Sequence, residues 1–232
     1  ARLYKSRHTD YINILINGQI YILKFGTPAD ISINQIYRAL NKIVECAQQV
    51  TDSGMSVGYL TAASNRIQMR TFRQLNRNPL YRSIFAELAN SFLTLCLDLD
   101  IKPETYAEAA IQTHNRNHGN RWYHSATQLV VFGNARAGMI SSFTAYIDGM
   151  TMSRSGAEIC KRARGIHGLQ RENIAQLNTG QSEYKRCEVC LPDRFRKGVL
   201  RDIQYITDKQ QATFTLQGAG RSLFREHSHN SI

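Results

Sequence analysis

The chain has 232 residues, of which 42% are hydrophobic and 20% charged. This composition excludes disordered, collagen-like and coiled-coil chains, because so much apolar content over this length can bury a core. No apolar run approaches the roughly 20 residues that a membrane-spanning helix needs, so we expect no membrane span. The chain begins with Ala1 and no signal-peptide pattern follows, so we expect a processed or excised chain without its targeting segment.

The formal net charge is +11, which favours an acidic partner such as nucleic acid, anionic lipid or a phosphate-bearing cofactor. Residues 151–232 hold 14 basic and 8 acidic residues and so carry +6 of this charge. The five cysteines are an odd number, and three of them (Cys46, Cys96 and Cys160) fall in predicted helices. We therefore expect reduced thiols and a reducing compartment, either the mitochondrial matrix or the cytoplasm.

The first half of the chain predicts one β-hairpin followed by three helices. Isoleucines alternate with other residues over 11–25 around Asn17-Gly18, a dipeptide typical of a two-residue hairpin turn. Helical spacing of apolar residues then predicts helices over residues 32–50 and 66–75. A third and strongly apolar helix is expected to follow Pro79 and to continue through Cys96.

The second half predicts both strands and helices. Pro103 opens a short helix through Ala110, and residues 114–120 form a polar loop. Two strands, 129–132 and 139–146, are expected to pair antiparallel. Helices are then predicted over residues 150–164 and 192–205, with a polar, weakly patterned stretch over 169–191. Helices interspersed with hairpins indicate a mixed α/β layered fold.

Five segments, in order and at compatible spacing, resemble the choline/carnitine O-acyltransferase family. The most specific is Gly119-Asn120-Arg121-Trp122-Tyr123, because it holds the single Trp of the chain. The others are the hairpin 11–25, residues 58–79 with Leu95-Cys96-Leu97-Asp98, residues 143–149, and residues 191–195 with 211–225.

The resemblance implies a chloramphenicol-acetyltransferase-like layered fold, with an antiparallel-rich sheet backed by helices. It implies two related α/β domains, which we place at residues 1–165 and, incomplete, at 166–232. The chain lacks the family's N-terminal portion and its Ser-Thr-Ser-type segment, so we expect only the central part of the architecture. The implied activity is acyl transfer between coenzyme A and a hydroxyl, with a histidine as general base.

The position of that catalytic histidine is occupied by Thr144, whose hydroxyl cannot act as a base near neutral pH. The preceding acidic residue is replaced by Phe143, whereas the family's Asp148 is present. His124 could in principle supply a base, but it is expected at the exposed start of a strand far from Thr144.

The resemblance also implies binding residues. Lys185 and Arg186 stand where the family places basic residues for coenzyme A, although a solvated basic pair explains them equally well. Thr215, His229 and Ser231 match the alcohol-substrate region. Leu216 stands where a hydroxylated aromatic residue would hold the carboxylate of carnitine, so we do not expect carnitine binding.

Two hypotheses are independent of the family. His114 and His118 are four residues apart and Cys187 and Cys190 have a zinc-type spacing, but neither pair has the further ligands that zinc needs, so we expect no metal. Arginines at 66, 70, 73 and 77 could contact nucleic acid, a partner that we rank below coenzyme A.

Two functions remain open. In the first, the chain is an acyltransferase relative that has lost catalysis, requires no cofactor and acts as a structural or assembly module with other protein subunits. In the second, it is an active acyl-CoA-dependent O-acyltransferase whose remaining segments lie on another chain or are absent. The changes at Thr144, Phe143 and Leu216 affect the base, its neighbour and the alcohol pocket together, which favours the first.

Overall fold

A computed structural model describes residues 11–24, 33–50, 54–141, 154, 156–162 and 184–207. The strands are β1 (Tyr11–Ile16), β2 (Gln19–Lys24), β3 (Thr94–Asp98), β4 (Thr127–Phe132), β5 (Ala137–Ser141) and β6 (Tyr184–Cys187). The helices are α1 (Ile33–Gln49), α2 (Gly58–Ala62), α3 (Asn65–Leu75), α4 (Pro79–Ala89), α5 (Tyr106–Asn115) and α6 (Asp193–Thr207), with a 3-10 turn at His118–Asn120. Residues 156–162 are also helical.

The six strands form one mixed sheet in the order β5-β4-β3-β1-β2-β6. The pairs β1–β2, β2–β6 and β4–β5 are antiparallel. The pairs β1–β3 and β3–β4 are parallel, because helical segments connect these strands and carry the chain back to the same edge. The mixed α/β layered fold is therefore confirmed, and antiparallel pairs predominate as expected.

The predicted hairpin is confirmed, with its turn at Asn17-Gly18. Both turn residues have positive φ, 50° for Asn17 and 72° for Gly18. This geometry matches the right-handed twist of the flanking strands, and asparagine and glycine adopt it at low cost. The turn sets the register in which Ile14 faces Tyr21 and Ile16 faces Gln19.

Apolar side chains fill a separate core on each face of the sheet. On one face, Ile14 and Tyr21 pack against Ile43 of α1. On the other, Leu15 and Val130 belong to the larger core, to which α2 to α6 also contribute. Successive strand residues point to opposite faces, so the near-continuous apolar run of β1 supplies both cores at once.

The prediction of a third helix through Cys96 is wrong. Helix α4 ends at Ala89, and the residues from Thr94 to Asp98 form the buried central strand β3. The alternation explains the difference, because Leu95 and Leu97 pack on the α1 face while Cys96 belongs to the opposite core. Cys96 is therefore in a strand, although all five cysteines are free, as predicted.

Helix α5 lies further along the chain than predicted. The Thr105 side chain accepts a hydrogen bond of 3.1 Å from the backbone N–H of Glu108 and caps the helix at this point. The helix continues through His114 and Asn115, which the sequence assigned to a loop. The antiparallel pairing of the next two strands is confirmed for residues 127–141, and α6 confirms the helix predicted over 192–205.

The weakly patterned stretch over residues 169–191 contains the edge strand β6, which was not predicted from the sequence. This strand pairs with β2, and Val199 and Ile203 of α6 pack into the same core as Leu15. The predicted domain boundary at residue 165 lies outside the described residues and stays a prediction. Among the described helices, none has both the length and the apolar character needed to cross a membrane.

Candidate functional site

An ion pair is completely buried at the carboxyl end of β3. The guanidinium of Arg121 donates from Nη2 to Oδ2 of Asp98 over 2.7 Å and from Nη1 to Oδ1 over 3.2 Å, and neither side chain is accessible to solvent. Such a bidentate arrangement is the strongest form of this contact. Two charges in this position are stable only if their other hydrogen-bonding atoms are also paired.

The remaining atoms of the pair are all engaged. Arg121 donates to the backbone carbonyls of Gln112 and Thr113 at the end of α5 and to that of Asn120, so all five of its N–H groups have acceptors. Asp98 accepts from the side-chain amides of Asn117 and Asn120, each over 2.7 Å. Burial alone would lower the pKa of Arg121, but its bonds to Asp98 and the carboxylate charge outweigh burial and raise that pKa.

The residue after Arg121 anchors this corner in the larger core. Trp122 is buried, with its ring centroid 6.0 Å from that of Phe85 and 6.4 Å from that of Phe72. Its backbone N–H donates to Oε1 of Gln128 in β4 over 2.7 Å. The segment Gly119-Asn120-Arg121-Trp122-Tyr123 therefore joins α5, β3 and β4.

A cavity of about 1080 Å³ opens beside the ion pair. It lies at the carboxyl ends of the parallel strands β1 and β3, where Asn17 and Asp98 contribute to its wall, and Asp193 and Arg196 border it from α6. The carboxyl ends of parallel strands are a common place for ligands in α/β sheets. This cavity is therefore the candidate functional site in the described part of the chain.

Histidine is absent from the residues that line this cavity within the described ranges. Its charged side chains are carboxylates and one arginine, and Asp98 is already held by Arg121. A general base for acyl transfer needs a pKa near neutrality, which histidine supplies most readily. The described wall of the cavity therefore offers sites for hydrogen bonding but lacks the usual base.

His114 and His118 border a different and smaller cavity of about 280 Å³. Nδ1 of His118 lies 2.9 Å from Oη of Tyr123, and that hydroxyl also donates to the carbonyl of His114 over 3.3 Å. Burial, assisted by the charges of Arg121 and Arg116, lowers the pKa of His118 to about 4. Burial and Arg121 likewise lower the pKa of His114, so both rings are neutral at pH 7.

His124 lies in a turn before β4, not at the start of the strand as expected. Its Nε2 donates to Oε1 of Gln68 over 2.8 Å, and its ring centroid is 5.1 Å from that of Phe72. One edge remains exposed, while burial of the rest lowers the pKa of His124. The ring thus helps to attach α3 to the core and is not among the residues that line the large cavity.

Lys185 and Arg186, the predicted coenzyme A residues, point to opposite faces of the sheet. Lys185 forms an exposed ion pair of 3.3 Å with Glu87 of α4. Arg186 is opposite Tyr21 in the register and lines a hollow of about 220 Å³ with Gly18. Because consecutive strand residues alternate between faces, the two side chains do not form a single clamp around one phosphate.

The other predicted site residues lie outside the described residues. They are Thr144, Asp148, Thr215, His229 and Ser231, together with the substituted positions Phe143 and Leu216. The CxxC cysteines are described, and Cys187 is buried in β6 whereas Cys190 is exposed. Among the residues that the structure describes, His, Cys, Asp and Glu side chains form no group of three that could hold a metal ion.

Comparison with known proteins decides the family. The sequence model of the family "Choline/Carnitine o-acyltransferase" matches residues 2–227, nearly the whole chain. The chain belongs to the choline/carnitine O-acyltransferase family. A relative within this family is the mitochondrial carnitine O-acetyltransferase of Saccharomyces cerevisiae, which is 26% identical over 140 residues. That alignment covers 60% of the chain but only 21% of the yeast protein, so the chain spans a small part of this longer relative.

Both members of the buried ion pair lie in segments that carry the family resemblance, but their pairing is not visible in the sequence. Asp98 closes an apolar strand, and Arg121 lies between small or polar residues and the single Trp. Charged residues are rarely buried unless they are paired, so a charge at the end of an apolar strand and another beside a Trp are the signal in the sequence for a buried ion pair. Their contact spans 23 positions in sequence, so only the three-dimensional arrangement of β3 and the turn after α5 reveals it.

Proposed function

We propose that this chain is a choline/carnitine acyltransferase-like module that has lost catalysis and acts in structure or assembly. The observation that carries this proposal is Thr144, which stands where the resemblance places the family's catalytic histidine. A threonine hydroxyl cannot accept a proton near neutral pH, and general base catalysis typically contributes about 10²- to 10⁴-fold to the rate.

The described geometry supports this proposal in two ways. The large cavity lacks a histidine among its described lining residues. The rings of His118 and His124 are hydrogen-bonded to Tyr123 and Gln68, and His114 borders the smaller cavity. At the same time, the Asp98–Arg121 pair and Trp122 join strands to helices beside the cavity, so this part of the scaffold is retained. The contacts that stabilise this part of the fold therefore do not depend on a catalytic base.

Binding of coenzyme A is a separate part of the proposal. The family uses acyl-CoA, and Arg186 is better placed than Lys185 to contact a phosphate, because Lys185 already pairs with Glu87. The two residues do not converge, so we expect binding of coenzyme A to be weak. Isothermal calorimetry with the unmodified protein, Arg186→Ala and Lys185→Ala tests this, and tight binding lost in both variants would contradict it.

The catalytic part is tested by acyl transfer from a panel of acyl-CoAs to carnitine and choline, with the full-length protein. The unmodified protein, Thr144→Ala and Thr144→His are compared, with Thr127→Ala as a matched control in β4. We expect no turnover above the uncatalysed rate in the unmodified protein or in Thr144→Ala. Turnover that Thr144→Ala abolishes and Thr127→Ala retains would overturn the proposal and make the chain an active acyltransferase.

Location and partners belong to the same proposal. The yeast relative is named as a mitochondrial protein, and five free thiols suit a reducing compartment. We propose the mitochondrial matrix, or otherwise the cytoplasm, as the location of the chain and other protein subunits as its partners. Cell fractionation and light scattering coupled to gel filtration test the two statements, and a secreted, strictly monomeric protein would contradict both.

A further inference from the structure

Helices α3 and α6 carry much of the positive charge of the chain. Residues 65–77 and 193–207 contain eight basic and two acidic residues, a net charge of +6 out of the total of +11. One of the acidic residues, Asp202, accepts hydrogen bonds from the backbone N–H and the hydroxyl of Ser64 at the start of α3. Most of the positive charge is thus left without a neutralising neighbour on the same helices.

The arginines of α3 form a single row on its outer side. Arg66, Arg70 and Arg73 follow one another at intervals of four and three residues, which places them on one side of the helix. Thr71 and Leu75 are buried on the opposite side. These three arginines are exposed, and so is Arg77 in the turn directly after α3.

Helix α6 has a matching row. Arg194, Lys197 and Arg201 are exposed and three or four residues apart, whereas Val199 and Ile203 on the other side are buried. We call these three residues, together with Arg66, Arg70, Arg73 and Arg77, the basic surface. Within the described part of the chain, no salt bridge involves any of the seven.

The two rows lie on neighbouring helices that pack against the same face of the sheet. Helices α3 and α6 contact each other, and Leu75, Val199 and Ile203 pack into one core on the same face of the sheet. The rows also meet, because Asp202, next to Arg201, binds Ser64, which lies two residues before Arg66. Adjacent packed helices lie about 8–10 Å apart, which brings the two rows to neighbouring parts of this face.

We propose that the basic surface binds the phosphodiester backbone of a nucleic acid. Six of its seven side chains are arginines, whose planar guanidinium groups donate two parallel hydrogen bonds to a phosphate. A lipid surface fits less well, because an interfacial helix inserts a broad apolar face into the membrane. Leu75, Val199 and Ile203 are buried in the core. Among the described side chains of α3 and α6, only Met69, Leu200 and Tyr205 are large exposed hydrophobic residues. This binding is independent of acyl transfer.

The test is fluorescence anisotropy with the full chain and two labelled probes, a single-stranded RNA of about 20 nucleotides and a DNA duplex of about 20 base pairs, at several salt concentrations between about 50 and 200 mM. Neutralising one phosphate contributes about −0.7 to the slope of log K against log salt for single strands and about −0.9 for duplex DNA. Seven contacts therefore give a slope of at most about −5 or −6, respectively.

The decisive variant is Arg66→Gln/Arg70→Gln/Arg73→Gln, whose side chains point away from the core. We expect affinity to fall at least about tenfold at low salt and the slope to become shallower by about two to three. The matched control is Lys24→Gln/Lys42→Gln/Lys102→Gln, which removes the same charge from exposed positions elsewhere and should change affinity by less than about threefold. If the α3 variant does not fold by circular dichroism, Arg194→Gln/Lys197→Gln/Arg201→Gln replaces it.

Three outcomes would overturn the proposal. The first is the absence of nucleic acid binding at the lowest salt concentration. The second is an equal loss of affinity in the α3 variant and the lysine control, which would attribute binding to net charge alone. The third is binding to phosphatidylserine/phosphatidylcholine vesicles with no binding to either nucleic acid, which would make the surface a membrane contact.

Discussion

Replacing Arg121 with methionine should destabilise the fold strongly, because it leaves a buried carboxylate without its counter-ion. Methionine has a similar length and no charge, so the change mainly removes the five hydrogen bonds of the guanidinium. Asp98 would keep only the amides of Asn117 and Asn120 as donors. Three backbone carbonyls around the end of α5 would also lose their donor.

Removing one partner of a buried ion pair typically lowers the free energy of unfolding by about 3–5 kcal/mol. Since a domain of ordinary stability unfolds with about 5–15 kcal/mol, Arg121→Met should remove between a fifth and nearly all of that free energy. Urea unfolding followed by circular dichroism measures the loss. Arg121→Lys should retain part of the stability, because it keeps the charge but not the bidentate geometry.

Arg116→Met is the matched control, because Arg116 is exposed and lies five residues before Arg121. An exposed substitution should change the free energy of unfolding by no more than about 0.5 kcal/mol. The double variant Asp98→Leu/Arg121→Met should regain only part of the loss, because the amides and carbonyls that contact the pair remain unpaired. If Arg121→Met costs less than about 1 kcal/mol, the assigned role of the pair is wrong.

Two further predictions concern titratable groups. Because burial lowers the pKa of His118 from 6.5 to about 4, the unfolded chain binds its proton more readily, so stability should fall as the pH drops from 6.5 to 4. Urea midpoints at several pH values measure this; His118→Gln should weaken the pH dependence, and an unchanged profile would contradict the prediction. Burial raises the pKa of the Cys96 and Cys187 thiols to about 12, so both should resist Ellman's reagent until urea unfolds the chain, whereas exposed Cys160 and Cys190 react at once. Rapid reaction of all cysteines in the native protein would contradict their burial.

The elements that the sequence predicts correctly are those determined by residues close together in the chain. The hairpin was predictable because the conformation of Asn17-Gly18 fixes both the turn and the register within a few residues. Helices α1 and α3 were predictable because their apolar residues recur at the spacing that buries one side of a helix. In these elements, the residues that determine the structure are close neighbours in the chain.

Non-local pairing explains what the sequence could not reveal. The apolar residues of β3 continue the apolar pattern of α4, and a short apolar run fits a buried strand and a buried helix equally well. Strand β6 has only four residues and depends on hydrogen bonds to β2, more than 150 positions earlier. The opposite orientation of Lys185 and Arg186 follows from this pairing, so their adjacency in the sequence does not reveal that they point to different faces of the sheet.

The two proposals depend on different parts of the molecule and can therefore fail separately. The loss of catalysis rests on Thr144, and its test reads turnover. Nucleic acid binding rests on arginine rows whose side chains lie opposite the buried sides of α3 and α6, so neutralising them leaves the core and the large cavity unchanged. A protein that binds nucleic acid and also transfers acyl groups would refute the first proposal and keep the second, because the basic surface needs only the folded scaffold that the Asp98–Arg121 pair stabilises.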